Sequence, residues 1–514
     1  MHFKWRIFIF FLPGLAAQAA SAQSLPPAPT ALAEAARDGQ LAAIDTLLTA
    51  GADPDTPGPL GTPALHWLIE RGDLEAASVL LAAGADPNRA TRLQLTPLYL
   101  AAKHGDAEAI QLLLSAGADP NRLDPAGETM LMAAVRAGDL ASVNALLEAG
   151  AEVDAREAGF QQTALMLAAR QGETAIAAKL LETGAAVDAS TEIGSEPRWV
   201  LPNSRPGFSF GIGIIRGGLP EDRGMRPFRS GGLTPLLYAA REGHADTIAL
   251  LLDAGADIEG VEANGITPLL MAIANDRASA ATLLIERGAN LDTSDWYGRT
   301  PLWSAVNVRN LYLDNATFEH FPDRDAQLEL IRLLLALGAD PDPRTKESPP
   351  VRNHILPSTG TLEWVDFTGQ TPFLTAALAG DTTVMQLLIE HGADPQIGTF
   401  HGTTPLMAAA GVNWVVSQTY TEGPDALLEA VEICLALGMD TNAANSMGIT
   451  AVMGAANRGS NDIIELLVTH GARLDVADNE GRTPLDWARG VFLATHPAEP
   501  KPESIALIER LLGD

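Results

Sequence analysis

Segment 207–218 contains the residue types of two reactive motifs. Gly207-Phe208-Ser209-Phe210-Gly211 matches Gly-x-Ser-x-Gly, a pattern that exposes a nucleophilic serine on a sharp strand-to-helix turn. Residues 212–218, however, include three glycines, and they do not favour the helix that this turn requires. Arg216 stands where a dinucleotide-binding loop needs its third glycine. The segment therefore predicts neither a hydrolase nucleophile nor a cofactor loop.

The histidines and the cysteine do not form a ligand set. No two histidines have the i, i+4 spacing of a metal-binding pair on a helix. Cys434 is the single cysteine, so neither an intramolecular disulfide nor a thiolate zinc cluster can form. We therefore expect no catalytic residue, no metal and no cofactor, and no enzymatic activity.

The charge balance restricts the class of partner. The chain has 514 residues, with 34 Lys and Arg against 64 Asp and Glu and a formal net charge of -30. A surface of this sign repels phosphate backbones and anionic lipids. We expect a protein partner and no nucleic acid. We also expect no stable insertion into a membrane once an N-terminal signal peptide has been removed.

The first 22 residues have the pattern of a cleaved signal peptide. Lys4 and Arg6 precede the apolar run 7–12, and Ala20-Ser21-Ala22 supplies the small residues of a cleavage site. The alternative is a membrane anchor, but this run is far shorter than the ~20 residues that span a bilayer. We predict a signal peptide at 1–22, a cut after Ala22, and a periplasmic or secreted protein.

A repeat with a period of 33 residues organises the chain after the predicted signal peptide. Its units begin at a threonine or proline, most of them 33 residues apart. These anchor positions are Thr30, Pro63, Thr96, Thr129, Thr163, Thr234, Thr267, Thr300, Thr371, Thr404, Thr450 and Thr483.

Each unit predicts two helices and a loop. In the third unit, Thr96 caps a helix that opens with Pro97. Gly105, nine residues after the anchor, ends this helix, and a second apolar run ends at Gly117. About ten polar residues then lead to the next anchor. The unit is thus helix, turn, helix and extended loop.

This pattern resembles the ankyrin repeat, in its 33-residue period, its Thr-Pro-Leu-His opening and its Leu-Leu-x-x-Gly-Ala-Asp ending. The resemblance implies an all-α fold, an ankyrin-repeat α-solenoid of helix-turn-helix units with β-hairpin-like finger loops. It covers about twelve repeats. The family's histidine, three residues after the anchor, is present at His66, whereas apolar residues such as Tyr99 and Met132 replace it elsewhere. Cys434 stands where other repeats have a core leucine, so we expect it to be buried.

Long insertions interrupt the repeats at two kinds of position, either within a finger loop or between the two helices of a unit. The predicted organisation is 23–188 (repeats 1–5), 189–232 (a finger insertion), 233–342 (repeats 6–8, with an inter-helix insertion at 310–326), 343–368 (a finger insertion) and 369–514 (repeats 9–12, with an inter-helix insertion at 412–425).

The insertion 189–232 forms a basic, aromatic segment in an acidic chain. We predict that it binds the partner through Trp199, Arg216, Arg223 and Arg226, because aromatic residues and arginine dominate the binding energy of interfaces. The alternative is that its arginines pair with carboxylates of the same chain.

A second predicted binding surface lies in the later finger loops. Twelve of the chain's aromatic residues fall between 296 and 420, and several stand where the repeat template predicts exposure. These are Trp296, Tyr297, Trp364, Phe367 and Phe400. The alternative is that they pack beneath the 343–368 insertion.

The resemblance implies a non-catalytic scaffold for protein-protein interaction, which we expect to be a monomer. The signal pattern and the lack of disulfides predict its export to a bacterial periplasm. The alternative is an accessory or chaperone-like subunit that protects or positions a periplasmic enzyme. The sequence does not identify the partner.

Overall fold

The computed structural model describes residues 30–58, 61–194, 230–310, 322–346, 368–414, 420–491 and 498–513. The predicted signal peptide lies outside these ranges, as do most of both finger insertions and the centres of both inter-helix insertions. Within the described ranges the chain is helical, with two isolated antiparallel bridges, Leu123 to Thr129 and Ala444 to Thr450, as the β structure. The predicted all-α class is confirmed.

The helices alternate between the first and the second helix of each unit. In chain order they are α1 (Ala31–Asp38), α2 (Leu41–Thr49), α3 (Ala64–Arg71), α4 (Leu74–Ala82), α5 (Pro97–His104), α6 (Ala107–Ser115), α7 (Met130–Ala137), α8 (Leu140–Glu148), α9 (Ala164–Gln171), α10 (Thr174–Glu182), α11 (Pro235–Glu242), α12 (Ala245–Asp253), α13 (Pro268–Ala274), α14 (Ala278–Glu286), α15 (Pro301–Arg309), α16 (Arg324–Ala336), α17 (Pro372–Ala379), α18 (Thr382–Glu390), α19 (Pro405–Ala410), α20 (Pro424–Ala436), α21 (Ala451–Arg458), α22 (Asn461–Thr469), α23 (Pro484–Arg489) and α24 (Pro502–Gly513).

The chain divides into two compact units, Met1–Asp119 and Pro120–Asp514. The first contains α1 to α6 and the second α7 to α24. Among the described helices, none is both long and apolar enough to cross a membrane.

Local signals fix where the helices begin and end. The Thr96 side chain accepts a hydrogen bond from the Tyr99 amide at 3.2 Å, which caps α5. Gly105 ends the helix at φ 67°, in the left-handed region that glycine adopts without strain. Asp276 and Asn413 occupy the equivalent position in their own repeats, with φ of 57° and 71°. Both are residue types that tolerate the left-handed conformation.

The core lies mainly between successive first helices. Residues 164–169 of α9 are all buried, and α9 packs on α7 and on α11 within the second unit. The second helices bury one face only, such as Thr247, Ile248 and Leu251 of α12. Cys434 is fully buried, as predicted, and burial raises the pKa of its thiol to about 12, so it lacks the thiolate form that makes a cysteine reactive.

Candidate partner-binding surface

The finger loops are shaped by one side chain at the start of each turn. Asp295 Oδ1 accepts hydrogen bonds from the amides of Tyr297 and Arg299 at 3.0 and 2.9 Å. Asp478 makes the equivalent bonds, to Glu480 at 3.0 Å and Arg482 at 2.9 Å. Because the turn amides are satisfied within the finger, each finger is preorganised before any partner arrives.

Backbone hydrogen bonds join consecutive fingers of the second unit. The Trp296 amide donates to the Asn264 carbonyl at 3.1 Å, and the Lys346 amide donates to the Tyr297 carbonyl at 2.7 Å. The next fingers continue with a 3.1 Å bond from the Phe400 amide to the Thr368 carbonyl. These bonds bring Trp296, Tyr297, Lys346 and Phe400 into succession. Together with Arg344, whose side chain contacts Phe400, we call them the finger row.

The finger row exposes a cationic and aromatic surface. The Phe400 side chain is 57% exposed, and the Arg344 guanidinium lies over its ring at 4.2 Å from the centroid. Arg344 is held there because its Nη2 donates to the Gly398 carbonyl at 2.7 Å. Lys346, two residues after Arg344 in the sequence, is also exposed. An acidic chain therefore presents positive charge and a large apolar ring together.

Trp296 and Tyr297 do not share one environment. Trp296 is half-buried, and its ring covers Gly265 so closely that a β-carbon there would lie 2.9 Å from Cδ1. Tyr297 is 5% exposed, and the Arg299 guanidinium lies 5.4 Å from its ring centroid. The predicted exposure of Tyr297 is wrong, because this position of the turn faces the interior of the repeat.

The remaining predicted binding residues lie outside the described residues. These are Trp364, Phe367, Trp199, Arg216, Arg223 and Arg226. The Gly-x-Ser-x-Gly segment lies outside them as well.

The necks of both finger insertions are ordinary finger turns. Thr191 Oγ1 accepts a hydrogen bond from the Leu233 amide at 2.9 Å, and Thr345 Oγ1 accepts one from the Gln370 amide at 2.9 Å. The uninterrupted finger at 399–403 has the same bond at 3.0 Å. The insertions thus extend from finger tips, and the repeats on either side keep their register.

An ionic cluster that sequence reasoning missed lies at the bases of the two inter-helix insertions. Arg309 Nε donates to Asp381 Oδ2 at 2.8 Å, with both side chains buried. Arg324 pairs with Glu422 and stacks on Tyr420, with its Cζ 4.5 Å from the ring centroid. Burial, followed by the neighbouring Arg309 charge, lowers the pKa of Arg324. We call these five residues the rim cluster.

The sequence did contain a signal for this cluster. Arg309 and Asn413 stand nine residues after their anchors, where most repeats have the glycine that ends the first helix. Both replacements occur in the units that carry inter-helix insertions. Within the described ranges, no group of three or more His, Cys, Asp or Glu side chains could hold a metal ion.

Family models match most of the described chain. A model for ankyrin repeats (3 copies) matches residues 32–124, 98–191, 236–345 and 423–490. A second model, for a single ankyrin repeat, matches residues 368–397.

Three curated relatives align with parts of the chain. The mouse (Mus musculus) inactive serine/threonine-protein kinase TEX14 is 36% identical over 73 residues, which are 14% of this chain and 5% of that protein. The mouse ankyrin repeat and SOCS box protein 16 is 32% identical over 140 residues, 27% of this chain and 30% of that protein. The rat (Rattus norvegicus) cyclin-dependent kinase 4 inhibitor B is 39% identical over 115 residues, 22% of this chain and 78% of that protein.

The chain thus spans less than a third of the first two relatives. Among solved structures, the human ASB11 ankyrin repeat domain aligns at 22% identity and a TM-score of 0.37, over 52% of this chain and 96% of that one. Because the family models cover more than half of the chain and fall on its successive helix pairs, this chain belongs to the ankyrin-repeat family.

Proposed function

We propose that this protein is a non-catalytic scaffold that binds a protein partner through the finger row. The observation that carries the proposal is Phe400, a large aromatic side chain that is 57% exposed and stacked under Arg344. Aromatic residues and arginine are enriched among the residues that contribute most to binding energy. An exposed ring held in place by a cation is therefore better explained by a partner than by the stability of the free protein.

The charge of the finger row indicates the chemistry of that partner. Arg344 and Lys346 lie on either side of Thr345 in a chain with a net charge of -30. Complementary potentials accelerate encounter and orient the two proteins. We expect a partner that offers carboxylates beside an apolar pocket for Phe400.

The relatives support a binding role in place of a catalytic one. One is named an inactive kinase and another a kinase inhibitor, so neither printed name describes an active enzyme. For this chain we infer binding without turnover, by a monomer exported to the periplasm of a bacterium or secreted after removal of residues 1–22.

Two alanine variants with nearly equal exposure test the proposal. Phe400→Ala removes the exposed ring, and Leu337→Ala removes a side chain that is 56% exposed at the end of α16, outside the finger row. With the mature chain 23–514 as bait in a native periplasmic extract, we expect Phe400→Ala to weaken partner capture at least about tenfold. Leu337→Ala should capture the partner as the wild type does.

Both variants should melt within about 1 °C of the wild type, because neither side chain is in the core. Equal capture by all three proteins would overturn the assignment of the finger row. Turnover of a substrate by the purified chain would overturn the non-catalytic function itself.

A further inference from the structure

Arg458, the last residue of α21, has a guanidinium that the protein satisfies on one side only. Its Nη1 donates to the Ala409 carbonyl at 3.3 Å. Its Nε and Nη2 are shielded from solvent, and within the described part of the chain neither has a hydrogen-bond partner. Buried cations in proteins are normally paired. The Nε and Nη2 atoms of Arg458 are an exception.

The two unsatisfied nitrogens form one recognition edge. In arginine, the Nε–H and one Nη2–H point in the same direction, and their spacing matches the two oxygens of a carboxylate. Because Nη1 is already engaged by Ala409, this side-on edge is the part of the guanidinium that remains for a ligand.

Residues of the preceding repeat pack closely around Arg458. Gly411 lies against it, so that a β-carbon there would be 3.2 Å from Arg458 Nε and 2.9 Å from the Gly454 carbonyl oxygen. The Trp414 ring covers the guanidinium, with its centroid 5.1 Å from Cζ. Gly411 thus lies against the unsatisfied edge, and the Trp414 ring lies over the guanidinium.

The arginines of the rim cluster, unlike Arg458, are neutralised by acidic side chains. Arg309 and Arg324 each pair with a carboxylate, Asp381 and Glu422 respectively. Burial lowers the pKa of Arg458 to about 9, so its guanidinium is still charged at neutral pH. An unpaired buried charge destabilises a fold, and a local rule broken without compensation often marks a functional site.

We propose that the Nε and Nη2 edge of Arg458 is a binding site for a carboxylate, which it holds side-on with two parallel hydrogen bonds. Since both nitrogens lie below the surface of the unliganded protein, entry of the carboxylate displaces the Trp414 ring. The carboxylate belongs either to an acidic side chain of a protein or to a small free acid. The site is separate from the finger row and does not depend on the function proposed for it.

Thermal unfolding of the mature chain at pH 7.5 tests the proposal, in sodium acetate against sodium chloride at equal concentration. In chloride, Arg458→Met should melt a few degrees higher than the wild type, because it replaces an unpaired buried charge with an apolar side chain. In acetate, the wild type should gain about 2 °C more than Arg458→Met gains, because a ligand that binds only the folded state stabilises it.

Two further variants keep the test decisive. Arg458→Gln, which has no charge and no such fork, should lose the acetate-specific gain as Arg458→Met does. Arg473→Met, which removes an exposed arginine that Asp475 pairs with, should keep the wild-type gain. If acetate stabilises the wild type and the Arg458 variants equally, or if Arg458→Met melts lower in chloride, Arg458 is already satisfied and the proposal is wrong.

Peptide probes distinguish the two sources of the carboxylate. Terminally blocked Gly-Glu-Gly should bind at least tenfold more tightly than acetate if the ligand is an acidic side chain, whereas comparable affinities indicate a small acid. Blocked Gly-Gln-Gly is the neutral control. Binding of Gly-Gln-Gly as tight as that of Gly-Glu-Gly would exclude carboxylate recognition and overturn the proposal.

Discussion

Arg309 Nε donates to Asp381 Oδ2 at 2.8 Å, between side chains that are only 8% and 2% exposed. Asp381 also caps α18, because its Oδ1 accepts a hydrogen bond from the Val384 amide at 3.3 Å. Arg309 precedes one inter-helix insertion, and Glu422, which pairs with Arg324, lies near the end of the other. The ninth repeat therefore holds the bases of both insertions together through a single carboxylate and its neighbours.

Asp381→Asn should lower the free energy of unfolding by about 3–5 kcal/mol, because it leaves the buried Arg309 charge without its partner. The matched control is Asp139→Asn at the same position of another repeat, where Oδ2 accepts a hydrogen bond from the Ser142 amide at 2.6 Å. Asparagine caps helices as well as aspartate does, so we expect little change there. Urea unfolding followed by circular dichroism measures both. Equal effects would show that Asp381 acts only as a cap.

The first finger insertion should be removable without loss of the fold. The Gly194 amide donates to the Ser230 carbonyl at 2.9 Å, so the two ends of the neck already lie side by side. Replacing residues 195–229 with Asn-Gly, which favours a two-residue hairpin turn, should leave the melting temperature within about 1 °C of the wild type. Differential scanning calorimetry checks this. A drop of several degrees would show that the insertion packs on the repeats and stabilises them.

The sequence predicted the helices well because their signals are local. Threonine caps, proline in the first turn and glycine at the end recur at fixed offsets from each anchor, and Thr96 and Gly105 act as expected. The same template failed for Tyr297, because its exposure depends on which side of a tight turn faces the repeat. Spacing alone does not contain that information.

Neither the contacts of the rim cluster nor the burial of Arg458 against Ala409 could be predicted, because both involve residues that are distant in the sequence. Arg309 and Asp381 are 72 residues apart, and Arg324 and Glu422 are 98 apart. Arginine is common in the last turn of first helices, as at Arg71, Arg136 and Arg241, so nothing in the sequence separates a buried arginine from a solvated one. The missing glycine at Arg309 and Asn413 coincides with the inter-helix insertions, but Asp276 lacks it too, and none of these replacements indicates the contacts.

His66 should make the first unit sensitive to acid. Its side chain is 1% exposed, its Nε2 lies 3.0 Å from the Leu95 carbonyl oxygen, and burial lowers its pKa to about 4. Because the unfolded chain takes up this proton near pH 6.5 and the folded chain does not, stability falls as the pH drops from 6.5 towards 4. The loss should reach about 3 kcal/mol.

Urea unfolding at pH 7 and pH 4.5 measures the effect of His66. His66→Gln keeps an amide donor for the Leu95 carbonyl but does not titrate, so its unfolding free energy should change less over this range than that of the wild type. If the variant is as sensitive to acid as the wild type, carboxylates and not His66 dominate the response.

The mature protein should begin at Gln23. The positive start, the apolar run 7–12 and the small residues at 20–22 are the pattern that a signal peptidase cuts. N-terminal sequencing of the protein isolated from its native host checks the position. An intact Met1 on membrane-bound material would exclude a cleaved signal.

Alanine at Tyr297 and at Phe400 should have opposite effects. Tyr297 is 5% exposed, so Tyr297→Ala leaves a cavity and should cost about 3 kcal/mol or more of stability. Phe400 is 57% exposed, and its loss removes only its stacking with Arg344, which is worth about 1 kcal/mol or less. Thermal melts and partner capture on the same samples separate the two roles. A lower melting temperature for Phe400→Ala, with capture unchanged, would show that the finger row holds the fold together and is not the docking surface.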